Sequence, residues 1–444
     1  MKKENNKYKS FLKISHSLFF IMALLLGICI ITPAADAKAE TLTTGSCGSD
    51  VRYSFDRGTG TLTIRGKGSM RDYEAKESPF YKHEEITCLI IESGVTSVGK
   101  WAFYDCFGIR TAEIGADVKT ISDFAFFGCM DLKTLVIPDG ITSIGENAFA
   151  HCFALKSISL PESISYIGER AFDDSGYYRN KKNWENGKVL YLGNFLLTAR
   201  YNRGYTYNVV TSEEYPYHSA TGSFSVDASR RASGKYTVRK GTKYIVQNAF
   251  SYCPVTDITI PDSVTGIGDR AFYGTSIESA TIPDNVMNIP AYAFSECKSL
   301  KKVTLPDGIT EIGEGAFSGC RNLLAFTVPK NVIEIGDKAF SRTGIKNITV
   351  SKKVKYIGTQ AFDSCTSLKN VTIKDGVKII GEKAFYGCTS LKSVTVPKSA
   401  RTIGIKAFGY DSKGKIKGFK LKGYKGSEAQ KYAKKNKIKL TELK

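Results

Sequence analysis

Histidine is nearly missing from this sequence, with four residues in 444. Beyond residue 40 only His83, His151 and His218 remain, far apart, and no two Cys stand in a C-x-x-C arrangement. The ligand sets of zinc and related metal centres are therefore not written here. No glycine-rich phosphate loop, nucleophile elbow or isolated carboxylate pair stands out from the surrounding pattern. Cys152 beside His151 is formally a nucleophile and base, but neighbours on a strand or turn point apart. Neither a catalytic residue nor a cofactor is expected. After residue 31 no apolar run is long enough to cross a bilayer, so no membrane insertion is expected once the N-terminal segment is removed.

That segment has its own reading. Lys2, Lys3, Lys7, Lys9 and Lys13 precede an apolar run from Leu18 to Ile31, and small residues follow at Ala34, Ala35, Ala37 and Ala39. This is the order of a secretory signal peptide, with cleavage expected after Ala37 or Ala39. Removing residues 1–39 takes six Lys and two acids from a net charge of +20, leaving +16. The excess is uneven: residues 409–444 hold twelve Lys against Asp411, Glu428 and Glu442. An exported chain meets few nucleic acids, so the basic balance points to acidic extracellular partners. The final residues, Leu440 to Lys444, carry no apolar tail, so any retention at the cell surface is expected to be non-covalent.

A hydrophobic content of 42% is ample for a packed core, and repetition decides its form. Phe recurs at 103, 126, 149, 172, 250, 272, 294, 317, 340, 362, 385 and 408, at intervals of 22 or 23 residues except for the step from Phe172 to Phe250. Five residues before each stands an aliphatic, as at Ile144, Ile312 and Ile380, followed by Gly in nine of the twelve copies. In the copy from Leu300 to Phe317, Leu300, Val303 and Leu305 read as inward residues of a short strand that Pro306 ends. Ile309 and Ile312 return to the core, Gly313 permits a tight corner, and Phe317 fills the wide end. One copy cannot cover its own apolar surface; stacked copies can.

The spacing predicts a β-rich solenoid of about 12 coils of 22–23 residues each, built of short strands and turns. The expected organisation is a signal peptide at 1–39, an N-terminal capping module at 40–87, repeats at 88–175, a Tyr-rich insertion at 176–240, repeats at 241–408 and a basic cap at 409–444. The module reads as a β-hairpin, with Val51 to Phe55 and Leu62 to Ile64 closing around Gly58 to Gly60. In the cap, Ser427 with Gln430 reads as a helix capping box, and Ile438 and Leu440 as a last strand. Residues 184–197 read as two short strands at a Gly193-Asn194 turn.

The pattern Ile-Gly-x-x-Ala-Phe with Cys-x-x-Leu-x-x-Val-Thr-Ile-Pro resembles the BspA-like leucine-rich repeats over residues 95–408. The segments at Cys47-Gly48, Thr59 to Ile64 and Gly423 to Lys434 are similar to that family's ends. The resemblance implies a secreted or surface-associated, adhesin-like protein that engages extracellular proteins or glycans. The alternative from charge alone is a structural protein held to anionic wall or matrix polymer.

Two surface features are binding candidates. The outward strand position carries Thr259, Thr281, Thr304, Thr327, Thr349, Thr372 and Thr395, and the position after the first strand aliphatic carries Arg110, Lys133, Lys156, Lys301, Lys346, Lys369 and Lys392. Thr favours strands and Lys protects sheet surfaces, but like charges one strand apart repel, and a basic stripe gathers an acidic partner. The second is the insertion, with Tyr201, Tyr205, Tyr207, Tyr215 and Tyr217. These tyrosines either anchor a partner or pack the insertion on the solenoid flank.

Eight cysteines (106, 129, 152, 253, 297, 320, 365 and 388) stand three residues after the repeat Phe. They read as a buried ladder of packed thiols, although a Cα spacing of about 5 Å between coils also permits Cys106–Cys129 or Cys129–Cys152. Cys47 and Cys88 fall outside the ladder and are the candidates for one disulfide tying down the N-terminal module.

Overall fold

Strands only two to six residues long, each too short to hold a sheet alone, are stacked in register along one axis. The computed structural model describes residues 43–199 and 232–444; the signal segment and the tyrosines at 201, 205, 207, 215 and 217 lie outside the described residues. Each coil places one strand on either side of the core. Strand Asn370–Ile373 exposes Asn370 and Thr372 and buries Val371 and Ile373. It pairs in parallel with Asn347–Val350 of the preceding coil, Thr349 opposite Thr372. After a turn, Ile379–Ile380 pairs in the same sense with Tyr356–Ile357.

Between the second strand and the next coil lies the Phe turn, which explains the Ala-Phe dipeptide. The ring column from Phe250 to Phe408 is unbroken, with centroids 4.9–5.7 Å apart. A second column runs from Phe80 to Phe172 at 5.1–5.5 Å. The outer ends are closed edge-on, by Tyr53 against Phe80 and by Tyr432 against Phe408. Non-glycine residues two before and two after the Phe repeatedly adopt positive φ, as at Trp101 (58°), Asp105 (54°), Phe124 (56°) and His151 (61°). That conformation costs about 1 kcal/mol per residue. Here it turns alternate amides toward the next coil: Trp101, Phe103 and Asp105 donate to the carbonyls of Asp123, Ala125 and Phe127.

Sequence spacing undercounts the stack. Phe80 is fully in the column although Pro79 stands where Ala would be expected. Ala199 holds a Phe position: its amide donates to the Ala249 carbonyl as Phe250 donates to that of Ala271. Tyr432 supplies the last ring, so the solenoid has about 15 coils rather than about 12. Glycine in the Ile-Gly pair also acts differently from expectation. A Cβ on Gly313 would lie 2.8 Å from the Ile289 carbonyl oxygen, and one on Gly381 2.5 Å from the Thr359 amide. The position demands close approach of coils, with no need for a special dihedral.

The N-terminal hairpin is present, Val51–Asp56 antiparallel to Thr61–Gly66. At the C-terminus, helix Glu428–Lys435 buries Ala429, Tyr432 and Ala433, and Lys439–Leu443 adds the last parallel strand. The expected capping box is not made: Gln430 reaches past the N-cap amide to the residue before it, and the Ser427 hydroxyl makes no capping bond. Gln430 Oε1 accepts from the Gly426 amide at 2.9 Å, whereas Ser427 Oγ is turned away and donates to the Tyr424 carbonyl.

The long Phe172–Phe250 interval divides the core. Strands Val189–Leu192 and Phe195–Ala199 form the expected hairpin, with Gly193 at φ 55°. Leu192 and Phe195 pack into the first hydrophobic core, while Tyr191, Leu196 and Ala199 pack into the second. Two-residue periodicity thus makes the hairpin a wall between two cores.

Candidate functional site

The outward sheet face is built by alternation. In each first strand the inward residues are held by the core, which leaves their neighbours fixed in rows at the coil rise of about 4.8 Å. Thr349 stands opposite Thr372, and Thr372 opposite Thr395. Thr281 and Thr304 pair likewise, but in a separate sheet that ends at Lys302–Thr304. Thr327 lies in neither strand set, so the Thr row is two segments and not one ladder of seven.

The basic row divides in the same place. Lys301 Nζ donates to Glu278 Oε2 at 2.7 Å, across one coil, and is neutralised there. Leu324, 49% exposed, occupies the next place, its carbonyl accepting from the Lys346 amide. Beyond it Lys346, Lys369 and Lys392 follow on consecutive coils, all exposed. Among the described residues no carboxylate lies within ion-pair distance of these three. The structure thus brings Lys346, Lys369 and Lys392 together and sets Lys301 apart.

It also adds lysines that spacing alone did not reveal. The Lys420 amide donates to the Lys392 carbonyl at 3.0 Å, Lys422 stands opposite Thr395, and Lys439 stands opposite Lys420. Their signal was the alternation Lys420-Leu421-Lys422, with Leu421 fully buried, inside a segment read as cap and not as coil. Between these side chains runs a shallow groove floored by Asn370, Thr372, Ser393 and Thr395 and edged by Lys369, Lys392 and Lys422. Its donors are ammonium, amide and hydroxyl groups, and Asn370 Nδ2 is steadied by Asn347 Oδ1 at 2.6 Å.

The cysteines have settled roles. Each ladder thiol in the Phe columns donates to the carbonyl of the preceding coil's Phe, Cys106 to Phe80 at 2.7 Å and Cys320 to Phe294 at 3.0 Å. Cys253, beside the interruption, reaches the Ala199 carbonyl at 3.9 Å. Burial pushes the Cys297 and Cys365 thiols up to about 11 and Cys253 to about 12, so they stay protonated. Cys152 follows the same rule, donating to Phe126, and its thiol is turned from His151. His151 instead has its Nδ1 3.3 Å from Asp174.

The expected Cys47–Cys88 disulfide is not made. Cys47 lies fully buried beside Val51 and Cys88 pairs with Thr61, at opposite ends of the hairpin Val51–Asp56 with Thr61–Gly66. Five strand residues separate those ends by about 16 Å, beyond disulfide reach. Burial raises the Cys47 thiol to about 11, Arg71 opposing.

Among the described residues no three His, Cys, Asp or Glu side chains converge as metal ligands, and no helix is long and apolar enough to cross a membrane. Residues 74–186, 234–344, 287–415 and 333–443 match the family described as BspA type leucine rich repeat region, in six copies. Among solved structures, a leucine-rich repeat protein from Eubacterium ventriosum is 22% identical, covering 84% of this chain and 96% of its own, with a TM-score of 0.36. A leucine rich cell surface protein from Faecalibacterium prausnitzii is 20% identical, covering 92% and 96%, with a TM-score of 0.33. The pneumococcal vaccine antigen PcpA is 14% identical over 92% and 100%, with a TM-score of 0.31. No curated protein matches.

Proposed function

Since the chain belongs to the BspA-type leucine-rich-repeat family, we propose that it is a secreted, non-catalytic binding protein whose outward sheet face holds an acidic protein or glycan outside the cell. The observation that carries this reading is the group Lys346, Lys369 and Lys392, extended by Lys420 and Lys422, with no carboxylate in ion-pair distance among the described residues. In the same row Lys301, one sheet earlier, is paired with Glu278. Like charges on adjacent strands destabilise a sheet, so an uncompensated group is a cost that stability alone gives no reason to keep. An acidic partner would remove it and would be drawn to the face over about a Debye length, 8 Å at physiological ionic strength.

The same lysines favour a second reading, in which the chain is a structural protein held non-covalently to an anionic wall or matrix polymer. Secretion rests on the Lys-rich start and the Ala-x-Ala sites; intact mass of the exported chain should place its first residue at Lys38 or Glu40. Binding is tested with the mature chain against surface extracts and a glycan panel at low and high salt. Salt-sensitive capture of one partner is expected. Capture of none at either salt overturns the binding role. Release of the native chain from cells by salt alone would select the structural reading.

A further inference from the structure

We infer that the lysine-edged groove takes a linear acidic glycan, one that bears about one anionic group per sugar and runs along the solenoid axis across the last coils. This rests on the binding role proposed above and names its ligand. Three features of the face choose between an acidic protein and an acidic polysaccharide.

The first is chemical. Protein interfaces are anchored by buried aromatic and apolar side chains, with charge at the rim. Among the described residues no such anchor is present on this sheet face between residues 346 and 422. The large exposed apolar residue on the row is Leu324, at its N-terminal limit, whereas Ile379 and Ile405 stand on the second-strand side of the coil. The groove offers Asn370, Thr372, Ser393 and Thr395, groups that both donate and accept, beside ammonium donors. That set suits a ligand covered in hydroxyl and carboxylate or sulfate oxygens.

The second is metric. Lys346, Lys369 and Lys392 repeat once per coil, at about 4.8 Å. Register is fixed by the backbone ladder: the Lys369 amide donates to the Lys346 carbonyl at 2.8 Å, and that of Lys420 to Lys392 at 3.0 Å. A pyranose chain advances by a similar length per residue, so one anion per sugar can meet one ammonium per coil without bending the polymer. A folded acidic protein would match that row only where it too stacks one carboxylate per strand.

The third is continuity. The Asn row becomes Lys420 and Lys439, and the Thr row becomes Lys422, as the stack approaches its end. Positive charge therefore rises along one direction, and the polymer has a path that does not end in a wall. Among the described residues, carboxylates fall short of ion-pair distance at every one of these lysines.

The test uses the mature chain and three soluble probes: polygalacturonate, neutral dextran and poly-glutamate of similar charge. Binding is measured by calorimetry or interferometry from low to physiological salt, for the wild type, for K369S/K392S/K420S, and for K67S/K181S/K182S, which carries the same charge change on exposed lysines of the first half. Polygalacturonate should bind, weakening with salt, and dextran should not. The groove variant should lose about tenfold or more in affinity and show a flatter salt dependence, while the control variant stays within about twofold of wild type. Equal losses in both triple variants would show that net charge alone is responsible and would overturn the site. Tighter binding of poly-glutamate than of polygalacturonate would overturn the glycan class while leaving the binding role intact. Binding of neither probe would overturn the inference; only capture of no partner from surface extracts would also remove the binding role. Unchanged circular dichroism and melting of both variants keep folding out of the comparison.

Discussion

Replacing Phe317 by Ala probes the Phe column and the division of the core together. Phe317 is fully buried and lies between Phe294 and Phe340, at 5.6 and 5.5 Å, with Phe326 against its edge at 5.2 Å. Truncation removes a ring that neighbouring coils cannot replace, since each is fixed by its own amide ladder. A Phe→Ala cavity of this kind costs about 3–5 kcal/mol. In a stacked array that loss should fall mainly on nearby coils. The two tryptophans offer a reporter: Trp101 lies in the first core region and Trp184 at the dividing hairpin, so fluorescence follows the first half while far-ultraviolet circular dichroism follows the whole. In urea, Phe317→Ala should move the dichroism midpoint to lower concentration and leave the fluorescence midpoint nearly in place. Phe126→Ala should lower the fluorescence midpoint most, with a smaller shift in the dichroism that reports both halves. A cost at Phe317 below about 1 kcal/mol would refute the column as the core. Equal shifts of both signals would refute the hairpin Val189–Ala199 as a boundary between cooperative units.

Three further outcomes follow from the same geometry. Alkylation after denaturation without reductant should label all eight ladder cysteines; one free thiol or none would show a stapled solenoid in place of packed S–H donors. Gly381→Ala should destabilise although a lower unfolded-state entropy alone would add about 0.4–1 kcal/mol, because its Cβ would lie 2.5 Å from the Thr359 amide, and a melting temperature equal to wild type would contradict the close approach of coils. Asp174 is raised by burial but lowered further by hydrogen bonds from His151 and Arg179, to about 2. Its stabilising contribution is thus full above its unfolded value near 4 and is lost as pH falls toward 2; being partly open to water, it is worth under about 1 kcal/mol. Asp174→Asn should remove that acid-limb loss, and an unchanged pH profile would contradict the pairing.

The coil was legible from the sequence because one residue type repeats where the core is widest and leaves no room for alternatives. What escaped were coils whose core position is filled otherwise: Phe80 after Pro79, Ala199 in the hairpin and Tyr432 on a helix. Spacing could not show that Gly381 answers to a neighbouring coil, since that contact is 22 residues away. The same limit hid the split in the basic row. Lys301 and Lys369 look alike in the repeat, and only the reach of Glu278 across one coil separates them. Lys420 and Lys422 were missed because the Tyr410–Asp411 hairpin breaks the period before the last strand resumes it. The Cys47–Cys88 pairing failed on strand length, which residue spacing does not reveal.

Lysine acylation footprinting of the mature chain, with and without saturating polygalacturonate, bears most directly on the binding face. Protection confined to Lys346, Lys369, Lys392, Lys420 and Lys422, with Lys67, Lys181 and Lys301 acylated as before, is the predicted result. Protection spread evenly over the exposed lysines, or concentrated away from the last coils, would contradict it.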